Sequence, residues 1–259
     1  MSNKRAREER REQRLAEESK VESKDRRTRL LQFGAGAVFL AIVVVVILIV
    51  VNGSSSSSSS GGDAKNVKEV AEVEKLLSGI DQEGMTLGDP KAPVELIEYG
   101  DLQCPICKEY SEEFLPAIIE GQVAQGQAKI TFKNFVIISE ESYPAGHAAI
   151  AAGEQGLGWS YIETWYRNQG EERSGYVTDE FMTSIAKAVR VPNMKKWNEA
   201  RNSPAVKKEV EETTSEALNK LHFNGTPSFA IQGPGTNGLE LLGTPESVGD
   251  FEEAINAAS

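Results

Sequence analysis

The feature that most narrows what this chain can become is the run Cys104-Pro105-Ile106-Cys107, which contains both of its cysteines. A disulfide-stapled scaffold needs several bridges spread along the chain. A structural zinc site needs about four ligands, commonly two such pairs or one pair with two spaced histidines. The histidines here, His147 and His222, form no such pair, so neither a disulfide framework nor a metal site is expected. The motif sits where an apolar strand, Pro93 to Tyr99 (PVELIEY), passes through Gly100-Asp101-Leu102-Gln103 into a helix expected to reach about Glu120. Pro105 takes the first helical position, where its missing N–H costs nothing. Cys104 then falls at the N-cap, its sulfur facing unpaired amides and the positive end of the helix dipole, which favour thiolate over thiol. A thiolate is the nucleophile of disulfide exchange. Cys107, one turn into the helix, faces inward, placed to attack a mixed disulfide on Cys104 but not to meet a substrate itself. The alternative, a small disulfide that only ties the turn, gains little from closing so short a loop.

A second strand is expected at Lys129 to Ile138 (KITFKNFVII). Strand, helix and strand in that order favour a parallel pair with a right-handed crossover. Upstream, Val67, Val70, Val73, Leu76 and Leu77 recur at helical spacing and stop at Gly79, predicting a lead-in helix. From Tyr143 to about Leu221 the strand signal vanishes, and helices are expected at 145–156, 159–168, 179–189, 194–202 and 204–221. Sheet character returns at Pro227 to Gln232 and Leu239 to Leu242, before a last helix from Pro245 to Ala258. The class is α/β, interrupted by a helical block at about 140–222. Trp159, Trp165 and Tyr166 are expected in the core, with the border of a peptide groove as the other option. His147 is expected to be structural, and His222 at most a neighbour of the site.

Phe33 to Val51 is a stretch of 19 residues without a charge. As a helix it would span about 28 Å, close to the hydrocarbon thickness of a bilayer, and its β-branched run carries no polar stripe. Lys20, Lys24, Arg26, Arg27 and Arg29 precede it, while Asn-Gly and seven serines follow. The positive-inside rule then puts residues 1–32 in the cytoplasm and everything after Val51 outside. The long charged segment before the span and the lack of a small-residue cleavage site favour an uncleaved anchor over a signal peptide. Residues 1–32 have too little apolar surface to bury, and 52–64 (NGSSSSSSSGGDA) form a Ser/Gly tether, leaving 65–259 as the extracytoplasmic domain. Residues 1–32 hold 11 Lys/Arg against 7 Asp/Glu, whereas the remainder holds 17 against 32. So acidic a globular part argues against a nucleic-acid partner.

Strand, Cys-Pro-Ile-Cys on a helix start and a later Gly225-Thr226-Pro227 before a strand resemble the thioredoxin fold. The helical insertion between the halves resembles the DsbA family, in particular its membrane-anchored Gram-positive members of actinobacterial type, over about Gly84 to Ala258. The resemblance implies that Cys104 is the exposed nucleophile and Cys107 the resolving cysteine. It implies a cis proline at Pro227 against the active-site disulfide, with the Thr226 backbone pairing an extended substrate. Glu98, six residues before Cys104, matches the family's buried acid; strand alternation sets it with Val94 and Leu96, and burial would suit it to move the Cys107 proton. The other option is that Glu98 faces water at the strand end. Pro105 and Ile106 are expected to tune the pair. Isoleucine stands where strong oxidants carry histidine, so a milder oxidant is expected, its Cys104 thiol lowered mainly by the helix terminus. The redox group would be the Cys104–Cys107 disulfide, with no other cofactor. Exported, unfolded or partly folded proteins are the implied substrates, and a quinone-linked membrane protein the implied reoxidant. A reductase or isomerase on the same fold stays open, as does a non-catalytic peptide-binding surface module.

Overall fold

A computed structural model of the protein describes residues 66–259; the expected charged segment, membrane span and tether lie outside the described residues. Among those described, no helix is long and apolar enough to cross a membrane. The centre of the sheet is β3 (Val94–Gly100), of which only Glu95 keeps appreciable exposure. Both faces are covered, so the strand reads as a nearly continuous apolar run, as a central parallel strand should. Val94 and Leu96 belong to the main core, whereas Ile97 and Tyr99 join a smaller cluster on the other face with Phe135, Ala217 and Ala230.

A lead-in helix α1 (Val70–Leu76) precedes a hairpin of β1 (Gln82–Glu83) and β2 (Thr86–Leu87). After β3 the active-site helix begins as α2 (Pro105–Glu109), passes through a π turn at Tyr110–Phe114, resumes as α3 (Leu115–Ile118) and closes with a second π turn at Ile119–Val123. Then come β4 (Ala128–Asn134), α4 (Ser142–Gly153), α5 (Gly158–Arg167), α6 (Asp179–Ala188), α7 (Met194–Arg201) and α8 (Pro204–Ser215), which ends in a π turn at Glu216–Lys220. Strands β5 (Ser228–Gln232) and β6 (Glu240–Gly243) and helix α9 (Val248–Ala258) complete the chain. The sheet order is β1-β2-β4-β3-β5-β6. β3 and β4 are parallel, Leu96 opposite Ile130, while β5 runs antiparallel to β3, Leu96 opposite Ile231.

Three departures from the sequence reading have physical causes. The active-site helix is longer than expected and is widened twice. Pro116 cannot donate to the carbonyl of Glu112, and the π turn at Tyr110–Phe114 lies just ahead of that gap. β4 stops at Asn134 rather than Ile138, because the amides of Ile137 and Ile138 donate to the Asp101 carboxylate, both at 2.9 Å, instead of to a strand. The β1–β2 hairpin was not expected; its two-residue strands are too short to alternate. It is held from outside, by β4 and by the Trp159 indole, which donates to the Met85 carbonyl at 2.9 Å. Gly158 makes that contact possible, since a Cβ there would lie 2.3 Å from the Gly84 carbonyl oxygen.

Candidate active site

Cys104 is the N-cap of α2, extended at φ −72° and ψ 121°, and its sulfur accepts the Cys107 amide at 3.4 Å. The Thr226–Pro227 peptide is cis, which presents the Thr226 carbonyl oxygen to the Cys104 thiol, 3.3 Å away. Both cysteines are free thiols. Cys107 is fully buried, as its inward position required. Cys104 is only 3 % exposed, which corrects the expectation of an open nucleophile; the loop carrying Thr226 lies against it, and Ile106, at 46 %, is the exposed tip of the motif.

The Cys104 thiol is brought down to about 6. The largest contribution is hydrogen bonding from the Cys107 side chain, with burial working the other way; Thr226 and the amides of Cys107 and Ile106 add to the lowering. The helix terminus therefore acts, but it is not the main cause. Burial pushes Cys107 well above the ordinary thiol range, and its hydrogen bond to Cys104 and the charges of Cys104 and Glu98 push the same way. One thiol is thus poised to ionise and its neighbour to keep its proton.

Glu98 does not face water. It is 1 % exposed on β3, beside Phe132 of β4 and Phe229 of β5. Its Oε1 has no hydrogen-bond partner, and burial first, then Glu163 and Cys104, raise the carboxyl well above its usual range. Gly100 keeps this corner passable: a Cβ there would meet the Phe132 ring at 2.5 Å and the Glu98 Oε1 at 3.1 Å.

The loop between β3 and α2 is fixed by residues that the motif did not single out. Asp101, buried, accepts the Gln103 amide at 2.9 Å and fastens the 137–138 segment with its other oxygen. An acid two residues before an amide it accepts is a recognisable Asx turn, so this one was findable. Gln103, also buried, donates to Ser139 and Ser142 and accepts the Arg173 amide. The helical insertion supplies the rest. Trp165 donates to the Leu102 carbonyl at 2.7 Å and Tyr176 to the same oxygen at 3.2 Å, while Tyr166 donates to the Asp101 carbonyl at 3.3 Å. Gln169 reaches the carbonyls of both Leu102 and Cys104, at 2.9 and 3.1 Å. Trp159, Trp165 and Tyr166 are accordingly buried core residues whose polar atoms hold backbone.

His147 lies on α4, half-buried, with Nε2 unpartnered; burial and Lys207 lower it to about 4. His222 is exposed, with a left-handed φ of 58°. None of the hydrogen bonds found among the described residues joins either histidine to the dithiol. Groups of three or more His, Cys, Asp or Glu able to hold a metal are also absent among the described residues.

A dithiol split between a helix N-cap and the core, facing a cis proline, is the arrangement of a thiol–disulfide exchange centre. Comparison with known proteins agrees. The thioredoxin family profile, described as "Thioredoxin", matches residues 81–257. "Probable disulfide bond formation protein D" of Bacillus cereus is 28 % identical over 152 residues, covering 57 % of this chain and 69 % of that protein. Disulfide bond formation protein D of Bacillus subtilis is 24 % identical over 147 residues, covering 56 % and 66 %. The crystal structure of oxidised BdbD from Bacillus subtilis superposes with a TM-score of 0.59 at 21 % identity, over 68 % of this chain and 96 % of that one. The chain belongs to the thioredoxin family. Within it, this is a protein thiol–disulfide oxidoreductase, whose redox group is the cysteine pair Cys104 and Cys107.

Proposed function

We propose that this oxidoreductase is an oxidase, which donates the Cys104–Cys107 disulfide to exported proteins from the outer side of a membrane where residues 33–51 anchor it. The observation that carries the direction is the Cys104 thiol at about 6. At pH 7 such a thiol is roughly nine-tenths thiolate, against a few per cent for a free cysteine near 8.5. That ionisation stabilises the reduced form by about 1.4 kcal/mol, which raises the potential of the pair by about 30 mV. The names of the Bacillus relatives, which speak of disulfide bond formation, point the same way.

A substrate thiolate attacks the Cys104 sulfur. The Cys104–Cys107 bond breaks, a mixed disulfide forms, and Cys107 leaves as a thiolate that takes the proton of Glu98. A second substrate thiolate then attacks the substrate sulfur, its disulfide closes, and Cys104 departs as the thiolate that its N-cap position stabilises. Glu98 recovers a proton from solvent. The backbone of Thr226, beside Pro227, aligns the extended substrate, and Pro105 and Ile106 tune the pair. The enzyme is left as a dithiol, two electrons reduced. A quinone-linked membrane partner reoxidises it.

Equilibration of the protein with glutathione buffers tests the direction. The oxidase reading expects a potential well above about −270 mV and, with isoleucine between the cysteines, below about −120 mV. A value near about −270 mV would make the protein a reductase.

A further inference from the structure

Between the lead-in helix and the helical insertion lies a cleft that the dithiol chemistry does not use. It has a volume of about 460 Å³ and is bordered by α1, the turn before α5, α5 itself and the turn after α6. Small-molecule sites span about 300–1,000 Å³. Its apolar walls are Val70, Val73, Leu157, Val189 and Pro192. Its polar side chains are matched within the protein, with one exception. Gln155 exchanges two hydrogen bonds with the Asn193 backbone, at 3.1 and 2.9 Å. Gln82 donates to the Ser160 hydroxyl at 3.0 Å, and Arg190 pairs with Glu74 at 3.1 Å at the exposed mouth. The exception is Thr164 on α5, which is fully buried, lines the cleft and has a hydroxyl without a hydrogen-bond partner. A threonine inside a helix commonly turns its hydroxyl to solvent or to the carbonyl one turn back, and Thr164 does neither. An unmet buried hydroxyl calls for a partner.

We propose that this cleft binds a small neutral molecule with an apolar, ring-sized body and one hydroxyl or carbonyl oxygen, which the Thr164 hydroxyl engages. The five apolar walls call for the apolar body. A hydroxyl both donates and accepts, so Thr164 matches an oxygen of either kind. Neutrality follows from the charges. Arg190 and Glu74 compensate each other, and the remaining lining residues are uncharged. An ionised ligand would therefore lose its hydration without gaining a counter-charge. The walls are also held in place without the ligand. Asn168, one turn after Thr164, donates to the Thr164 carbonyl at 2.8 Å and exchanges two hydrogen bonds with the Lys68 backbone, fastening the chain before α1 to α5. Arg190 occupies a left-handed position after α6, with φ 59°, where glycine is usual; its side chain joins that turn to α1 through Glu74. The cleft is separate from the dithiol. Trp165, next to Thr164, donates instead to Leu102 of the active-site loop, so the two sites share helix α5 but no residue.

The test uses the full-length protein in lipid nanodiscs, with phenol as the probe and benzene as its counterpart without a hydroxyl. NMR of the valine and leucine methyl groups follows both titrations against the aqueous concentration of each probe. The methyls of Val73, Leu157 and Val189 should shift saturably with phenol. Benzene should bind about tenfold more weakly, the effect of one buried hydrogen bond. Thr164→Val keeps the shape and removes the hydroxyl, so it should bring phenol down to the affinity of benzene and leave benzene unchanged. Its unfolding midpoint should be no lower than that of the wild type, because no hydrogen bond within the protein is lost; a lowered midpoint would mean that the hydroxyl has a protein partner and would count against the proposal. Shifts that do not saturate, or that spread evenly over the domain, would overturn it. Equal affinities for phenol and benzene would overturn it too, as the result expected if the hydroxyl meets only water.

Discussion

The sheet half of the domain and its helical insertion divide the work differently. The sheet half, with β3, α2 and the Thr226–Pro227 turn, brings the sulfur atoms, the buried acid and the carbonyl that touches Cys104 into one place. The insertion adds no cysteine. It contributes donors from Trp165, Tyr166, Gln169 and Tyr176, which end on the carbonyls of Asp101, Leu102 and Cys104. A loop that would otherwise expose these oxygens is held in one conformation from above. Reactivity is thus set by a few atoms at the helix start, and its precision by side chains more than 60 residues away in sequence.

The comparison breaks most visibly if chemistry and bracing are removed in turn. Cys104→Ser should abolish disulfide transfer and cost the reduced protein about 1.4 kcal/mol at pH 7, the contribution of the ionised sulfur. Cys107→Ser should instead accumulate a mixed disulfide with substrate, visible as a covalent adduct on non-reducing gels. Retained turnover in Cys104→Ser would mean that the sheet half does not hold the chemistry. Trp165→Ala empties a fully buried site and strips a donor from Leu102. It should cost about 3–5 kcal/mol in urea unfolding while leaving both thiols present and titratable. The smallest effect belongs to Gln169→Leu, which loses two hydrogen bonds at the loop. About 1 kcal/mol of stability and a several-fold loss of turnover are expected. A larger loss of turnover with intact stability would move Gln169 from bracing into the chemistry.

The two regions were also unequally legible in the sequence. The positions of Cys104 and Cys107 followed from short-range chemistry, a proline at a helix start and a three-residue step into the helix, whereas that of Pro227 followed from the family resemblance. The burial of Glu98 followed from strand alternation in Val94, Leu96 and Glu98. The helices of the insertion were readable to within a few residues from their apolar spacing. What they touch was not. Periodicity states that Trp165 is inside, but nothing local says that its indole N–H ends on Leu102, 63 residues earlier. The same holds for Gln103 with Ser142 and for the β1–β2 hairpin, whose partners lie on other elements. The degree to which Cys104 is covered depends on the Thr226 loop arriving from 122 residues downstream.

The account turns on the ionisation of one sulfur, and a thiolate absorbance titration of the reduced protein reads it directly. The midpoint for Cys104 should be about 6. Its folded-state value lies below the unfolded one, so its contribution to the stability of the reduced protein is complete above about pH 8.5. That contribution is then lost as pH falls through about 6. Urea unfolding of the reduced protein across the same range supplies an independent reading of the same shift. A midpoint near that of free cysteine, about 8.5, with no pH-dependent change in stability between the two values, would contradict the account.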